Sequence, residues 1–175
     1  MRIIQTILAA LALSYASVSF GSVLNYTSEE YLTQQYTMLK ITFQQLNVEK
    51  VDKGHAVKIS IPSSYGFSTG SDQLKRSMKT TLSELSLFLR SYPESTIEIT
   101  GHTDNVGNPK SNLLLGEKRA NAVATELRKG RVSPLRIETQ TEGEYLPLCS
   151  NKTLKGRECN RRVEIIVRLE SHLEF

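Results

Sequence analysis

Apolar residues along this chain change period several times, and those changes limit the folds open to it. From Ala56 to Ile61, the apolar Ala56, Val57, Ile59 and Ile61 bracket Lys58 and Ser60. This alternation predicts a strand, ended by Pro62. Leu74, Met78, Leu82, Leu85 and Leu89 then recur at steps of three and four. That spacing predicts a helix from about Asp72 to Arg90, stopped by Pro93. Thr96 to Thr100 returns to alternation and reads as a second strand, followed by turn formers from Gly101 to Lys110. Leu113, Ala120, Val123, Ala124 and Leu127 mark a second helix, ending at Gly130. Leu135–Thr141 and Val163–Leu169 read as two further strands. The order predicts an α+β fold, a βαβαββ two-layer sandwich with helices on one side of a sheet.

An extra helical segment precedes this body, over residues 22–50. Leu32, Tyr36, Leu39, Phe43 and Leu46 alternate at steps of four and three, and Thr27 with Glu30 makes a capping box. Such a stripe packs on its own domain or docks a partner; fewer than three heptads is thin support for a coiled coil. Residues 1–21 have the layout of a secretory signal: Arg2, an apolar run from Ile7 to about Ala16, then small residues. Ser19 and Gly21 suit cleavage after Gly21. The alternative is a retained anchor, but the apolar run falls short of the ~20 residues that cross a bilayer. Domain organisation is therefore expected as 1–21 signal peptide, 22–50 helical segment and 51–175 globular domain.

Export gives a meaning to Cys149 and Cys159, the two cysteines of the chain. In an oxidising compartment an even count favours a disulfide. A loop of this size would add about 2–3 kcal/mol of stability. Zinc would need two further ligands, and neither His102 nor His172 has ligand spacing to the pair.

Charge excludes some partners. The 22 Lys and Arg against 18 Asp and Glu give +4, scattered rather than clustered, which is no nucleic-acid footprint. A phosphate-binding loop fails as well, because five residues separate Gly101 from Gly107 and Pro109 removes a backbone donor. No nucleotide, metal or other cofactor is expected. No serine or cysteine sits in a nucleophile motif, and His55, His102 and His172 are scattered, so no catalytic residue is assigned. His102, at a strand end, reads as a packed, hydrogen-bonded residue.

Chemistry concentrates at the loop Gly101-His102-Thr103-Asp104-Asn105-Val106-Gly107, which leaves a strand and enters a helix. Arg119 lies about two turns into that helix, with Asn112 on nearly the same face. A carboxylate, an amide and a guanidinium converging there would suit a zwitterion. Spacing alone favours the plainer reading, in which Asp104 caps a turn and Arg119 is solvated.

Ile97 to Val167 resembles the OmpA-like peptidoglycan-binding domain family, that of the OmpA C-terminal domain, Pal and MotB. The resemblance rests on Ile99-Thr100-Gly101-His102-Thr103-Asp104-Asn105-Val106-Gly107, Asn112-Leu113 and Arg119-Ala120-Asn121-Ala122-Val123. Gly143-Glu144 with Pro147, Gly156-Arg157 and Asn160-Arg161-Arg162-Val163-Glu164-Ile165 complete it; Ile59 to Leu74 looks like the family's first strand and loop. It implies a non-enzymatic protein of the periplasm, associated with the cell wall near the outer membrane. It further implies that Asp104 and Arg119 hold the charged groups of the diaminopimelate of the peptide stem. Asn112, Arg161 and Thr103 would shape or line the same pocket. The family's two-cysteine variants bridge the segment before the last helix or strand, in line with Cys149 and Cys159. Two departures stand out: Ser68, where an acidic residue is common, and Ser111, where an aromatic is common. Peptidoglycan is the expected partner, with an envelope protein docked through the Leu32–Leu46 stripe. An alternative is a structural subunit of a flagellar motor or secretion machine that uses the fold mainly for protein contacts.

Overall fold

A computed structural model describes residues 28–68 and 70–168. The expected signal segment, Thr27 of the capping box, Thr69, Leu169 and His172 lie outside the described residues. In chain order the elements are α1 (Ser28–Thr42), β1 (Asn47–Val51), β2 (Ala56–Pro62), α2 (Ser63–Gly66) and α3 (Arg76–Ser91). They continue with β3 (Thr96–His102), α4 (Pro109–Lys129), β4 (Ile137–Gly143), α5 (Leu154–Asn160) and β5 (Arg162–Arg168). The strands form one sheet in the order β1-β2-β5-β3-β4. Only β3 and β4 run parallel, and α4 supplies the crossover that a parallel pair requires. This is the α+β sandwich that the apolar periods predict.

Register explains the core. Ile59 stands opposite Ile165, which stands opposite Ile99; Val57, Val167 and Ile97 form a second such row. Side chains two apart point to one face, so these rows make a continuous apolar surface. Leu82, Leu85 and Leu89 of α3 and Val123 and Leu127 of α4 join it in one buried cluster. The opposite face is polar, carrying Lys58, Ser60, Glu98, Thr100 and Glu164. Helix α4 meets β3 at a glycine pair. A Cβ on Gly101 would stand 2.0 Å from the Gly116 carbonyl oxygen, and one on Gly116 would stand 2.4 Å from Thr141 Oγ1. That approach seats Arg119, three residues further along α4, over the end of the sheet.

The segment 22–50 departs from expectation. Helix α1 ends at Thr42, and Asn47–Val51 is an edge strand paired with β2, Asn47 opposite Ser60 and Val51 opposite Ala56. Of β1's side chains only Val48 is buried, so the strand shows almost no alternation to read. A domain boundary at 50/51 would therefore cut through the sheet. Leu32, Leu39, Phe43 and Leu46 lie in the common core, where α1 packs on β1 and β2. The stripe offered above as a docking face for an envelope partner is thus used inside the domain. Helix α5 was also unforeseen, because seven residues are too few to show a helical period.

Gln35 is fully buried inside that stripe, and neither amide atom has a hydrogen-bond partner among the described residues. A buried amide without partners costs stability that an apolar side chain of similar shape would not. Gln35→Leu is expected to raise unfolding stability by about 1–3 kcal/mol, seen as a higher urea midpoint at unchanged slope. A lower midpoint would contradict the absence of partners.

Candidate functional site

The site grows from the end of β3. Thr103 N–H donates to Gly143 O at 2.8 Å, so β4 holds the point where the loop leaves the sheet. Thr103 Oγ1 donates to Asp104 O at 2.9 Å. Asp104 Oδ1 accepts from Val106 N–H at 3.1 Å, closing a tight turn, and Gly107 completes the loop at φ +101°. Asn108 Oδ1 accepts from the N–H groups of Lys110 and Ser111 and so caps α4, with Pro109 in its first turn. Ser111 serves that cap, whatever residue relatives carry there.

Asn112 ties this loop to its surroundings. Its Nδ2 lies 3.2 Å from Asp104 O, 3.1 Å from Val106 O and 2.6 Å from Glu144 Oε2. An amide carries two hydrogens for these three acceptors, so one is shared. Asp104 Oδ2 accepts from Arg161 Nη1 at 2.5 Å, so among the described residues the carboxylate pairs with Arg161 and not with Arg119.

Arg119 is 3% exposed. Its Nε donates to Ser71 O at 3.0 Å, its Nη1 donates to Ser63 Oγ at 3.1 Å, and its guanidinium stands 5.2 Å over the Phe67 ring. All of these partners are neutral. Burial, followed by the neighbouring Arg161 charge, lowers its pKa from the ordinary arginine value, while Asp72 and Asp104 oppose the shift. It remains a cation at neutral pH. The plainer reading of a solvated arginine does not hold.

The structure thus brings Thr103, Asp104, Asn112, Arg119 and Arg161 to one end of the domain. Sequence reasoning missed the role of Ser63, Ser71 and Glu144. Arg119 lies 56 residues from Ser63 and 48 from Ser71, so no local spacing could have linked them. Ser68, the departure noted above, turns the first loop, its N–H donating to Gln73 O and its carbonyl accepting from Ser71 N–H.

The disulfide joins Cys149 and Cys159, as expected, with Cα atoms 6.1 Å apart. Asn160, fully buried, works beside it. Its Oδ1 accepts from Leu148 and Cys149 N–H, each at 2.9 Å, and its Nδ2 donates to Cys149 O and Asn151 Oδ1. This clamp lies directly before Arg161 and fixes where that arginine begins. No group of three or more metal-ligating side chains occurs among the described residues.

His102 corrects one expectation. It is buried, but neither ring nitrogen makes a hydrogen bond among the described residues, and Glu164 Oε2 lies 3.9 Å from Nε2. Glu164 is instead engaged by Arg162 at 2.8 Å. Burial first, then Arg162 and Lys58, push the His102 pKa down to about 4, against the opposing pull of Glu164. The unfolded chain takes up this proton near 6.5 and the folded one only near 4. Stability therefore falls as pH drops through that window and levels off below it. The loss from this residue over the full window is on the order of 3 kcal/mol. His102→Asn should reduce the fall in urea midpoint between about pH 7 and 4.5; a fall as steep as the parent's would contradict the assignment.

Comparison with known proteins agrees with this fold. The model of the OmpA family matches residues 66–161. YiaD of Escherichia coli (strain K12) is 32% identical over 135 residues, 77% of this chain and 62% of the relative. The outer-membrane lipoprotein YfiB of Pseudomonas aeruginosa is 36% identical over 104 residues, covering 59% of this chain and 62% of its own. The chain thus matches less than two thirds of the length of either relative. Among solved structures, the cell wall anchor of the T6SS from Pseudomonas aeruginosa superposes with a TM-score of 0.67 at 25% identity, over 79% of this chain and 97% of that one. The expected location, at the cell wall near the outer membrane, agrees with these relatives. The chain belongs to the OmpA family.

Proposed function

We propose that the protein binds peptidoglycan without catalysis, gripping the diaminopimelate of the peptide stem, and so anchors an envelope partner or complex to the cell wall. The observation that carries this reading is Arg119, a buried cation whose direct partners are a carbonyl, a hydroxyl and an aromatic ring. Taking a charge out of water is costly unless an opposite charge meets it. Among the described residues Ser71 and Ser63 engage Nε and Nη1, and Nη2 is the atom that would receive a ligand carboxylate. Asp104, already turned inward by Val106 N–H and Arg161, supplies the negative charge for the ligand's ammonium. A zwitterionic carbon centre matches a fixed cation and a fixed anion, and nothing covalent is needed.

Pull-down with insoluble sacculi tests the assignment. The parent protein should sediment with the wall, and Asp104→Ala and Arg119→Ala should stay in solution. Sedimentation of both variants at the parent level would refute the site. The α1 stripe, on which both the envelope-partner docking and part of the machine-subunit alternative drew, is buried in the core, so neither gains support from it.

A further inference from the structure

Nine large apolar side chains are exposed among the described residues, and four of them, Tyr145, Leu146, Leu148 and Leu154, fall within residues 145–154. These four are each more than half exposed. A mobile loop could show this by chance, but this segment is held. The disulfide ties Cys149 within it to Cys159 just beyond it, Asn160 binds the backbone of Leu148 and Cys149 and the side-chain oxygen of Asn151, and Arg162 Nη2 donates to Leu146 O. Its polar backbone is turned inward and its leucines outward, the reverse of ordinary burial.

Charge says what the surface fits. Between Glu144 and Glu158 the chain carries Lys152, Lys155 and Arg157 and no acidic residue, and both lysines are exposed. Leucines beside a tyrosine and lysines are the composition of a surface that enters a bilayer interface. The leucines reach the acyl boundary, the tyrosine sits at headgroup level, and the lysines meet anionic headgroups. A stable protein interface takes roughly 800 Å² on each side, more than four side chains on one short segment present. We propose that the segment Tyr145–Arg157, pinned by the Cys149–Cys159 disulfide, docks on an anionic phospholipid surface. Arg161 turns to Asp104 while the next residue, Arg162, turns to Leu146, so wall site and lipid surface diverge at the start of β5. One domain would then hold the wall with one surface and rest on the membrane with the other.

Hydrogen exchange read by mass spectrometry tests this on the full chain. Vesicles containing phosphatidylglycerol should slow amide exchange over residues 145–154 roughly tenfold. Vesicles of phosphatidylcholine alone should slow it little, and added salt should weaken the protection. Leu146→Ser with Leu148→Ser, and separately Lys152→Glu with Lys155→Glu, should abolish it while sedimentation with sacculi persists. Attachment through residues 1–27 is common to all forms and leaves that comparison intact. Unprotected amides at 145–154 in phosphatidylglycerol vesicles would overturn the proposal, as would equal protection in both charge forms. The wall-binding reading would survive either result, since Asp104 and Arg119 are untouched.

Discussion

Gly101→Ala is expected to lower folding stability by about 3–5 kcal/mol, above the common range for overpacking. The added methyl would meet the Gly116 carbonyl oxygen at 2.0 Å and its carbonyl carbon at 2.5 Å. Both obstacles are backbone, so no rotamer change relieves them. Either α4 lifts from β3 or β3 shifts away from β4 and β5. Both routes open the core at Val123 and Ile99 and loosen the hydrogen bonds of Thr141 Oγ1 to Leu113 O and Gly101 O. Wall binding should weaken as well, because Arg119 rides on α4. Urea unfolding of the variant gives the loss directly. A midpoint unchanged from the parent would mean that α4 does not sit this close to the sheet.

Binding responds most to the two charges. Arg119→Ala is expected to weaken affinity for wall fragments by at least 100-fold, within the 2–5 kcal/mol typical of truncating one partner of a buried charge pair. Asp104→Asn should have a comparable effect while keeping the shape of the loop, since an amide oxygen can still accept from Val106 N–H. Its cause differs. Neutralising Asp104 leaves Arg161 without its counter-charge and beside Arg119, so a cationic pocket would face the ligand's ammonium. Circular dichroism identical to the parent, together with lost binding, separates this from unfolding. Affinity within threefold of the parent for both variants would place the ligand elsewhere.

Much of this molecule was legible in the sequence because its main elements are long and one-sided. Alternation at Ala56–Ile61 and steps of three and four from Met78 to Leu89 correspond to β2 and α3, but the helix expected from Asp72 begins only at Arg76, because Leu74 bridges to Phe67 instead. Strand β1 was not legible, since pairing with β2 rather than its own pattern holds it at the edge. The α1 stripe was legible as apolar, but its destination depended on that same unseen strand. At the site, Asp104, Asn112 and Arg119 stood out by resemblance, whereas local spacing alone favoured a turn cap and a solvated arginine. Their true partners were not legible. Arg161 reaches Asp104 across 57 residues and Glu144 reaches Asn112 across 32, contacts that only the folded sheet creates. The disulfide followed from compartment and count. The clamp of Asn160 beside it left no signal, because an asparagine after a cysteine has no distinctive pattern.

Calorimetric titration with two peptide stems tests the central claim most directly. One stem carries diaminopimelate at the third position, and the other carries lysine there, which lacks only the carboxylate assigned to Arg119. The diaminopimelate stem should bind and the lysine stem should not bind measurably, a distinction that Arg119→Leu should erase. Equal affinity of the parent protein for both stems would contradict the account.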